Sequence, residues 1–408
     1  MLFIGLVWPE PTSSAAGKRI LQLVEFFLHQ GNEVIFSSAA SKNESSFDFK
    51  SLQDTKQSTV DEFPIELNNS SFNEFLKEIK PDIVVYDRYI SEEQFGWRVS
   101  QECPDALQIL DTEDLHLLRF AREKAFKKKE EINLYNEIAI REIASILRCD
   151  LSLMISKFEM DLLQSEFNLS PSLLYYLPFM EKTIDSEKTK SFEERKDFIF
   201  IGNFLHEPNW QTVLQLKKNI WPQLKAKLPE AKLNIYGAYP SQKVWDLHQE
   251  KEGFIVHGKA EDALEVISKA RILLAPIPFG AGQKGKFIDA MQVGTPIATN
   301  SMGAESMFEK TIPGILEDVE NQFVEKTIAL YQNQEIWTKA QEIGFQILKE
   351  KFDRNQFEND FEEKLKDLAS NLIQHRQSNF IGQILKSNAT NALKYMSLWI
   401  EEKNKSKK

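Results

Sequence analysis

The residues best suited to hold an anion lie between Leu274 and Asn300, in LAPIPFGAGQKGKFIDAMQVGTPIATN. An apolar strand pattern runs into Gly280, Gly282 and Gly285, and a helical pattern starts near Lys284. Glycines let a backbone approach a ligand closely, and a helix start offers free N–H groups and the positive end of a dipole. Lys284 and Lys286 add charge, and Asp289, about one turn further on, is placed to accept hydrogen bonds from a ribose diol beside phosphates. Together they predict a diphosphate site. The plainer alternative is a tight turn with two solvated lysines.

Two loops of the first half carry related chemistry. WPEPTSSAAGKRILQL ends a strand pattern in small residues and opens a helix, so Ala16, Gly17 and Lys18 are candidates for a second phosphate-type turn. Lys18 and Arg19 also read as first-turn surface charges. DTEDLHLLR (Asp111 to Arg119) follows another strand, where His116 is placed to hydrogen-bond a sugar hydroxyl or to stabilise charge at a reacting centre. Capping or packing is its other role. Asp111 and Asp114 either orient His116 or cap the next helix, and capping suits Asp114 better. His29, His206, His248, His257 and His375 fit no metal-ligand spacing and read as local structural or surface residues.

Stepping outward, the elements that must hold these loops are short apolar runs alternating with amphipathic stretches, the pattern of parallel sheets covered by helices. Strands are expected at Leu2 to Trp8, Glu33 to Ser37, Asp82 to Tyr86, Leu107 to Leu110 and Leu151 to Ile155, with a surface loop from Ala39 to Val60 and a long helix from about Leu118 to Leu147. A second strand series, FIFIG, LNIYG, FIVHG, ILLAPI and PIATN, begins at Phe198. The class is α/β: two Rossmann-like, doubly wound domains facing each other across a cleft. The expected units are 1–180, a polar linker 181–196, a second domain 197–352, a returning helix within 353–375, and a tail 376–408.

The chain resembles glycosyltransferases of family 4, the retaining, group 1 type with the GT-B fold. The likeness is strongest in FIGNFLHEPNW, NIYGAYP, the Leu274 to Asn300 segment and MGAE (Met302 to Glu305). It implies a nucleotide-sugar donor held by the second domain at Gly202, Asn203, Gly258, Gly280, Ala281, Gly282, Lys284, Gly285 and Asp289. It implies a glycan or lipid-linked acceptor held by the first domain, with Ala16, Gly17 and Lys18 near the donor phosphates and His116 catalytic. It further implies metal-independent transfer with retention and no cofactor. Of the two glutamates that the family places seven residues apart, the second is Asp289 here and the first falls on Ala281. The basic pair expected after the first strand of the second domain is replaced by Gly202 and Asn203, so Lys284 is expected to supply that charge.

Composition narrows the rest. The 408 residues carry 50 basic and 61 acidic side chains, a net charge of -11, which opposes binding to nucleic acid. Two cysteines, Cys103 and Cys149, suit a reducing compartment, and no apolar run is long enough to span a membrane, so cytoplasmic residence is expected. Residues 376–408 are different: seven basic side chains against two acidic, with Ile381, Ile384, Leu385, Leu393, Met396, Trp399 and Ile400 at roughly helical spacing. Peripheral contact with an anionic membrane is one reading, and packing on the first domain the other. The function implied is sugar transfer in envelope polysaccharide or glycoconjugate synthesis. The alternatives are a non-catalytic nucleotide-sugar-binding protein and a nucleotide-sugar epimerase of the same fold.

Overall fold

A computed structural model describes residues 1–52, 60–182, 189–309 and 311–406, the side chains of 388–393 excepted. Parts of the 39–60 loop and the 181–196 linker, the Leu393 side chain and the last two lysines lie outside the described residues. The first domain contains β1 (Leu2–Gly5), β2 (Val34–Ser38), β3 (Val60–Pro64), β4 (Ile83–Asp87), β5 (Leu107–Asp111), β6 (Leu151–Met154) and β7 (Leu174–Tyr176), all paired in parallel in the order β3-β2-β1-β4-β5-β6-β7. The second contains β8 (Lys196–Ile201), β9 (Leu233–Tyr236), β10 (Phe254–Gly258), β11 (Ala270–Ala275), β12 (Ile297–Thr299) and β13 (Gly314–Leu316), again parallel, in the order β10-β9-β8-β11-β12-β13.

These orders locate the chemistry. The direction of winding reverses between β1 and β4 in one sheet and between β8 and β11 in the other, and ligands of doubly wound sheets sit beyond the strand ends at such reversals. The loops leaving β1, β4, β8 and β11 therefore border the ligand side of the two sheets. The glycine turn follows β11, and the Ala16–Lys18 turn follows β1.

The central strands are legible because both faces are covered. Phe198, Ile199 and Phe200 of β8 and Ile272 to Ala275 of β11 are all essentially inaccessible, as expected of continuous apolar runs in a parallel sheet. The expected long helix is instead two, His116–Lys128 and Glu137–Arg148. The run KEEIN (129–133) between them has no apolar face to bury. Lys129 ends the first helix in the left-handed region (φ 58), and Asn136 caps the second by accepting from the amides of Ile138 and Ala139 at 3.0 and 3.1 Å. Strand β3 adds an edge that the alternation of VDEFP only weakly announces.

The helix Glu358–Ser370 crosses back to the first domain, where Phe361, Leu365 and Leu368 join the core that contains Phe26 and Phe27. The Phe26 and Phe361 rings stand 5.0 Å apart. Full burial of such a ring stabilises by about 2–3 kcal/mol, so this helix belongs energetically to the domain it returns to.

Candidate active site in the interdomain cleft

The two phosphate-type turns meet head to head. Ser14 caps the Ala15–His29 helix through its hydroxyl to the Gly17 amide at 3.0 Å, and Lys284 occupies the cap position of the Gly285–Gln292 helix. The first residues of the two helices touch: a Cβ on Gly285 would lie 2.7 Å from the Ala15 Cβ. The amides of Ala15 and Ala16 on one side, and of Gly285 and Lys286 on the other, donate to no protein acceptor among the described residues. Two helix N-termini in contact bring together four N–H groups without a protein acceptor and two positive dipole ends, groups complementary to a diphosphate. Gly17 is needed for the first turn, since a Cβ there would stand 2.6 Å from the Glu10 carbonyl carbon.

The lysines divide their work. Lys284 is buried and its ammonium donates to the Gly282 carbonyl at 2.8 Å, stitching the turn to itself. Burial pulls its pKa down to about 8 despite the nearby carboxylates of Glu305 and Glu159. Lys286 reaches the first turn of the helix Glu207–Gln215 that follows β8, donating to Asn209 Oδ1 at 2.6 Å with its ammonium 4.4 Å from the Phe200 ring centre. Burial, then Lys284, lowers its pKa to about 7. Asn209 in turn donates to the Asn203 carbonyl at 2.8 Å, and Gly202 leaves room for the Asn209 side chain, which a Cβ would meet at 2.7 Å. Lys286, rather than Lys284, thus brings a cation to the strand end where a basic pair was expected.

Asp289 is joined across the cleft to Lys18 at 3.1 Å, and Lys18 also meets Glu181 at 3.0 Å. Burial lowers the Lys18 pKa, but the two carboxylates outweigh it and hold the pKa above the usual lysine value. Burial raises the pKa of Asp289, and Lys18 only partly offsets this. Arg19 plays another role: it is buried against Asp111 at 2.9 Å and donates to the Leu177 carbonyl at 2.8 Å, inside the first domain. Gly258 ends β10 at φ +79, close under the Trp245 ring, and lies farther along the same rim.

His116 opens the His116–Lys128 helix, edge-on to the Tyr89 ring at 5.4 Å with Nε2 3.4 Å from Asp114 Oδ1. Its backbone amide and that of Leu117 donate to the buried Glu142 at 3.0 and 2.8 Å, which is the cap that the sequence assigned to Asp114. Asp114 instead pairs with Arg119. Burial pulls the His116 pKa down to about 3, so the ring is neutral near pH 7 and acts as a hydrogen-bonding group rather than a cation. His206, set aside as a surface residue in the sequence, lies exposed at the head of the helix after β8, within electrostatic range of Asp114 and Arg119. Arg88 and Glu113, at the ends of β4 and β5, have positive φ of 67 and 63. Such strain in non-glycine residues concentrates at functional sites.

Several contacts that close the cleft escape sequence reasoning. Arg122 donates to the Gly280 carbonyl at 2.7 Å and makes a two-pronged ion pair with Glu305 at 2.6 and 2.8 Å. Glu159 accepts from the Gly282 amide at 2.7 Å and from the Leu115 amide at 3.3 Å, joining the glycine turn to the loop that carries His116. Gly282, at φ +64, sits so close that a Cβ would be 2.6 Å from the Asp114 Cβ, and Ala281 packs against the first domain's core. Asn203 donates to the Ser13 carbonyl at 3.3 Å. Beyond the ends of β1, β2 and β3 a cavity of about 460 Å³ opens, lined by Trp8, Ser38, Lys42, Glu62, Pro64 and Ile65. Lys42 spans it, 2.5 Å from Glu62 and 4.5 Å from the Trp8 ring centre. Among the described residues no group of three or more His, Cys, Asp and Glu side chains is arranged to hold a metal.

Residues 195–333 match the family model described as Glycosyl transferases group 1. Sucrose-phosphate synthase from Thermosynechococcus elongatus superposes with a TM-score of 0.65 at 13% identity, over 91% of this chain and 100% of that one. HepE of Anabaena, solved with UDP and glucose, superposes with a TM-score of 0.63 at 13% identity, over 90% of this chain and 99% of that one. The fold is GT-B. A variant of S. aureus TarM, solved with fondaparinux, alpha-GlcNAc-glycerol and UDP, gives a TM-score of 0.58 at 12% identity over 73% of this chain, which spans 58% of TarM's length. No curated protein matches the chain by sequence. In GT-B terms, the match covers most of the second Rossmann-like domain, including β8, β11 and the glycine turn.

Proposed function

We propose that the protein is a glycosyltransferase that moves a hexose from a nucleotide-diphosphate sugar to a glycan or lipid-linked acceptor, with retention of configuration and without a metal. The observation that carries this reading is the meeting of two helix N-termini at Ala15 and Gly285, with four unengaged amides and Lys286 beside them. The group 1 match over 195–333 and the UDP bound in HepE support it.

In this reading the second domain holds the nucleotide along Gly202, Asn203, Gly258 and Asp289, where Asp289 exchanges Lys18 for the ribose. The diphosphate lies against the joined N-termini, beside the amides of Ala15, Ala16, Gly285 and Lys286. The cavity beside Trp8, Lys42 and Glu62 takes the acceptor. The acceptor oxygen bonds to the anomeric carbon on the face from which the diphosphate leaves. The carbon–phosphate-oxygen bond breaks, and the acceptor proton passes to the departing phosphate oxygen. No side-chain nucleophile is required, which suits alanine at position 281. Catalysis rests on positioning and on amides and lysines that stabilise charge on the leaving group. His116 hydrogen-bonds the transferred sugar.

Two free, buried thiols suit a reducing cytoplasm, and envelope polysaccharide or glycoconjugate assembly is the role that the family resemblance implies. The test is a thermal-shift screen against nucleoside diphosphates and nucleotide sugars with the wild type, Lys286→Ala and Asp289→Ala, followed by assay of nucleotide release in EDTA. A ligand of the native state raises Tm by mass action. One donor class should do so, both substitutions should weaken it, and release should persist in EDTA. No shift with any nucleotide at saturation would overturn the reading.

A further inference from the structure

We propose that the terminal helix Phe380–Lys405 is a docking face for an anionic lipid bilayer. Its inner side is fixed to the first domain. It packs along the helices Arg88–Glu102 and Glu137–Arg148, with Gly382 in close approach to the Leu147 carbonyl. The Asn379 amide donates to that same carbonyl at 2.8 Å, Arg98 donates to Ser397 Oγ at 3.0 Å, and Ser70 donates to Glu401 at 2.7 Å. Just before the helix, Arg376 clasps Asp150 at 2.7 and 2.8 Å. These contacts set which side faces out.

At about 3.6 residues per turn, Phe380, Ile381, Ile384, Tyr395, Met396 and Trp399 fall on the side opposite Gly382, Ser397 and Glu401. They are 45–68% exposed. Isolated exposed apolar residues are ordinary, but a stripe with three of them at each end of one helix face is not. Lysines accompany it: Lys403 is exposed and lies 4.9 Å from the Trp399 ring centre, Lys405 is exposed between Glu401 and Glu402 at 3.4 Å from each, and Lys394 is half-buried at the flank.

Charge selects the occupant. Residues 376–408 carry seven basic and two acidic side chains, net +5, while the whole chain is -11, leaving -16 on the remainder. A second copy docked through the same face would set these lysines against their own counterparts, because a two-fold interface brings identical patches together. A bilayer rich in anionic headgroups fits both the stripe and the lysines. Aromatic and aliphatic side chains enter the headgroup boundary while lysine stems reach back to the phosphates. No described helix is long and apolar enough to cross a membrane, so the contact is interfacial. The inference does not depend on the chemistry of the cleft.

The test is co-sedimentation of the full chain with vesicles of phosphatidylcholine alone and of phosphatidylcholine with phosphatidylglycerol, at low and high salt. Two variants accompany the wild type, Phe380→Ser/Ile384→Ser/Trp399→Ser and Lys394→Gln/Lys403→Gln/Lys405→Gln, with melting temperature confirming the fold. The wild type is expected to bind the anionic vesicles at least about tenfold more tightly than the neutral ones, with salt weakening the binding. Each variant should lose about tenfold or more. Absence of binding to either vesicle, or binding unchanged in the serine variant, would overturn the proposal. So would a wild-type dimer in sedimentation velocity that the serine variant converts to monomer, since the face would then join two copies.

Discussion

Arg122 of the first domain and Glu305 of the second form a bidentate ion pair across the cleft, and the same guanidinium holds the Gly280 carbonyl of the glycine turn. One side chain therefore ties domain closure to the shape of the turn. Arg122→Ala and Glu305→Ala should each reduce kcat/KM for transfer by about 10–100-fold, and the double variant should be little worse than the weaker single, the signature of a shared interaction. Full additivity in steady-state kinetics would refute the coupling.

Gly282 should be intolerant of any side chain. Its φ of +64 disfavours alanine, and the added Cβ would strike Asp114 at 2.6 Å. Gly282→Ala is expected to cut transfer by about 100-fold or more while weakening UDP binding by less than about tenfold, because closure fails but the second domain remains intact. Calorimetric UDP binding beside a nucleotide-release assay separates the two effects.

Donor binding should weaken as pH rises through about 7 to 8. Burial lowers Lys286 to about 7 and Lys284 to about 8, so both lose charge above those values, and a diphosphate favours the charged forms. Calorimetry near pH 8 in buffers of different ionisation enthalpy should show proton uptake on binding, and Lys286→Ala should diminish it. Binding unaffected by pH in the wild type would place the phosphates elsewhere.

His116, lowered to about 3 by burial, stays neutral from about pH 5 to about pH 9. The pH–rate profile should therefore have no limb at the ordinary histidine value arising from this ring. His116→Ala should lower kcat by about 10–100-fold with donor affinity preserved. Equal losses in kcat and donor affinity would assign it to scaffolding.

The strands of both sheet centres were legible because residues buried on two faces read as apolar runs, as in Phe198 to Ile201 and Ile272 to Ala275. The glycine turn was legible because its residues are contiguous. Arg122, Glu159, Glu305 and His206 were not, since they come from four separate elements and only the facing of two sheets brings them to one cleft. Asp114 looked like a helix cap, but the cap is Glu142, 26 residues from His116 in the chain. Strand β3 was obscured because this edge strand is exposed at Asp61, Phe63 and Pro64 and places Glu62, half-buried, against Lys42, so it carries no apolar alternation. Lys286 and Lys284 were both visible, but which one reaches the helix after β8 depends on Asn209, a contact between distant residues.

The return of Glu358–Ser370 onto the Phe26 and Phe27 core bears on synthesis at the ribosome. The domain whose strands emerge first lacks Phe361 until nearly the whole polypeptide has been made, whereas the β8–β13 sheet is complete in one uninterrupted stretch. Until then the nascent amino-terminal half stays partly uncovered along its first helix. Stalled chains released before residue 358 should be captured by chaperones or degraded, and the last step of folding in the cell should be the closing of the first domain by the last-made helices.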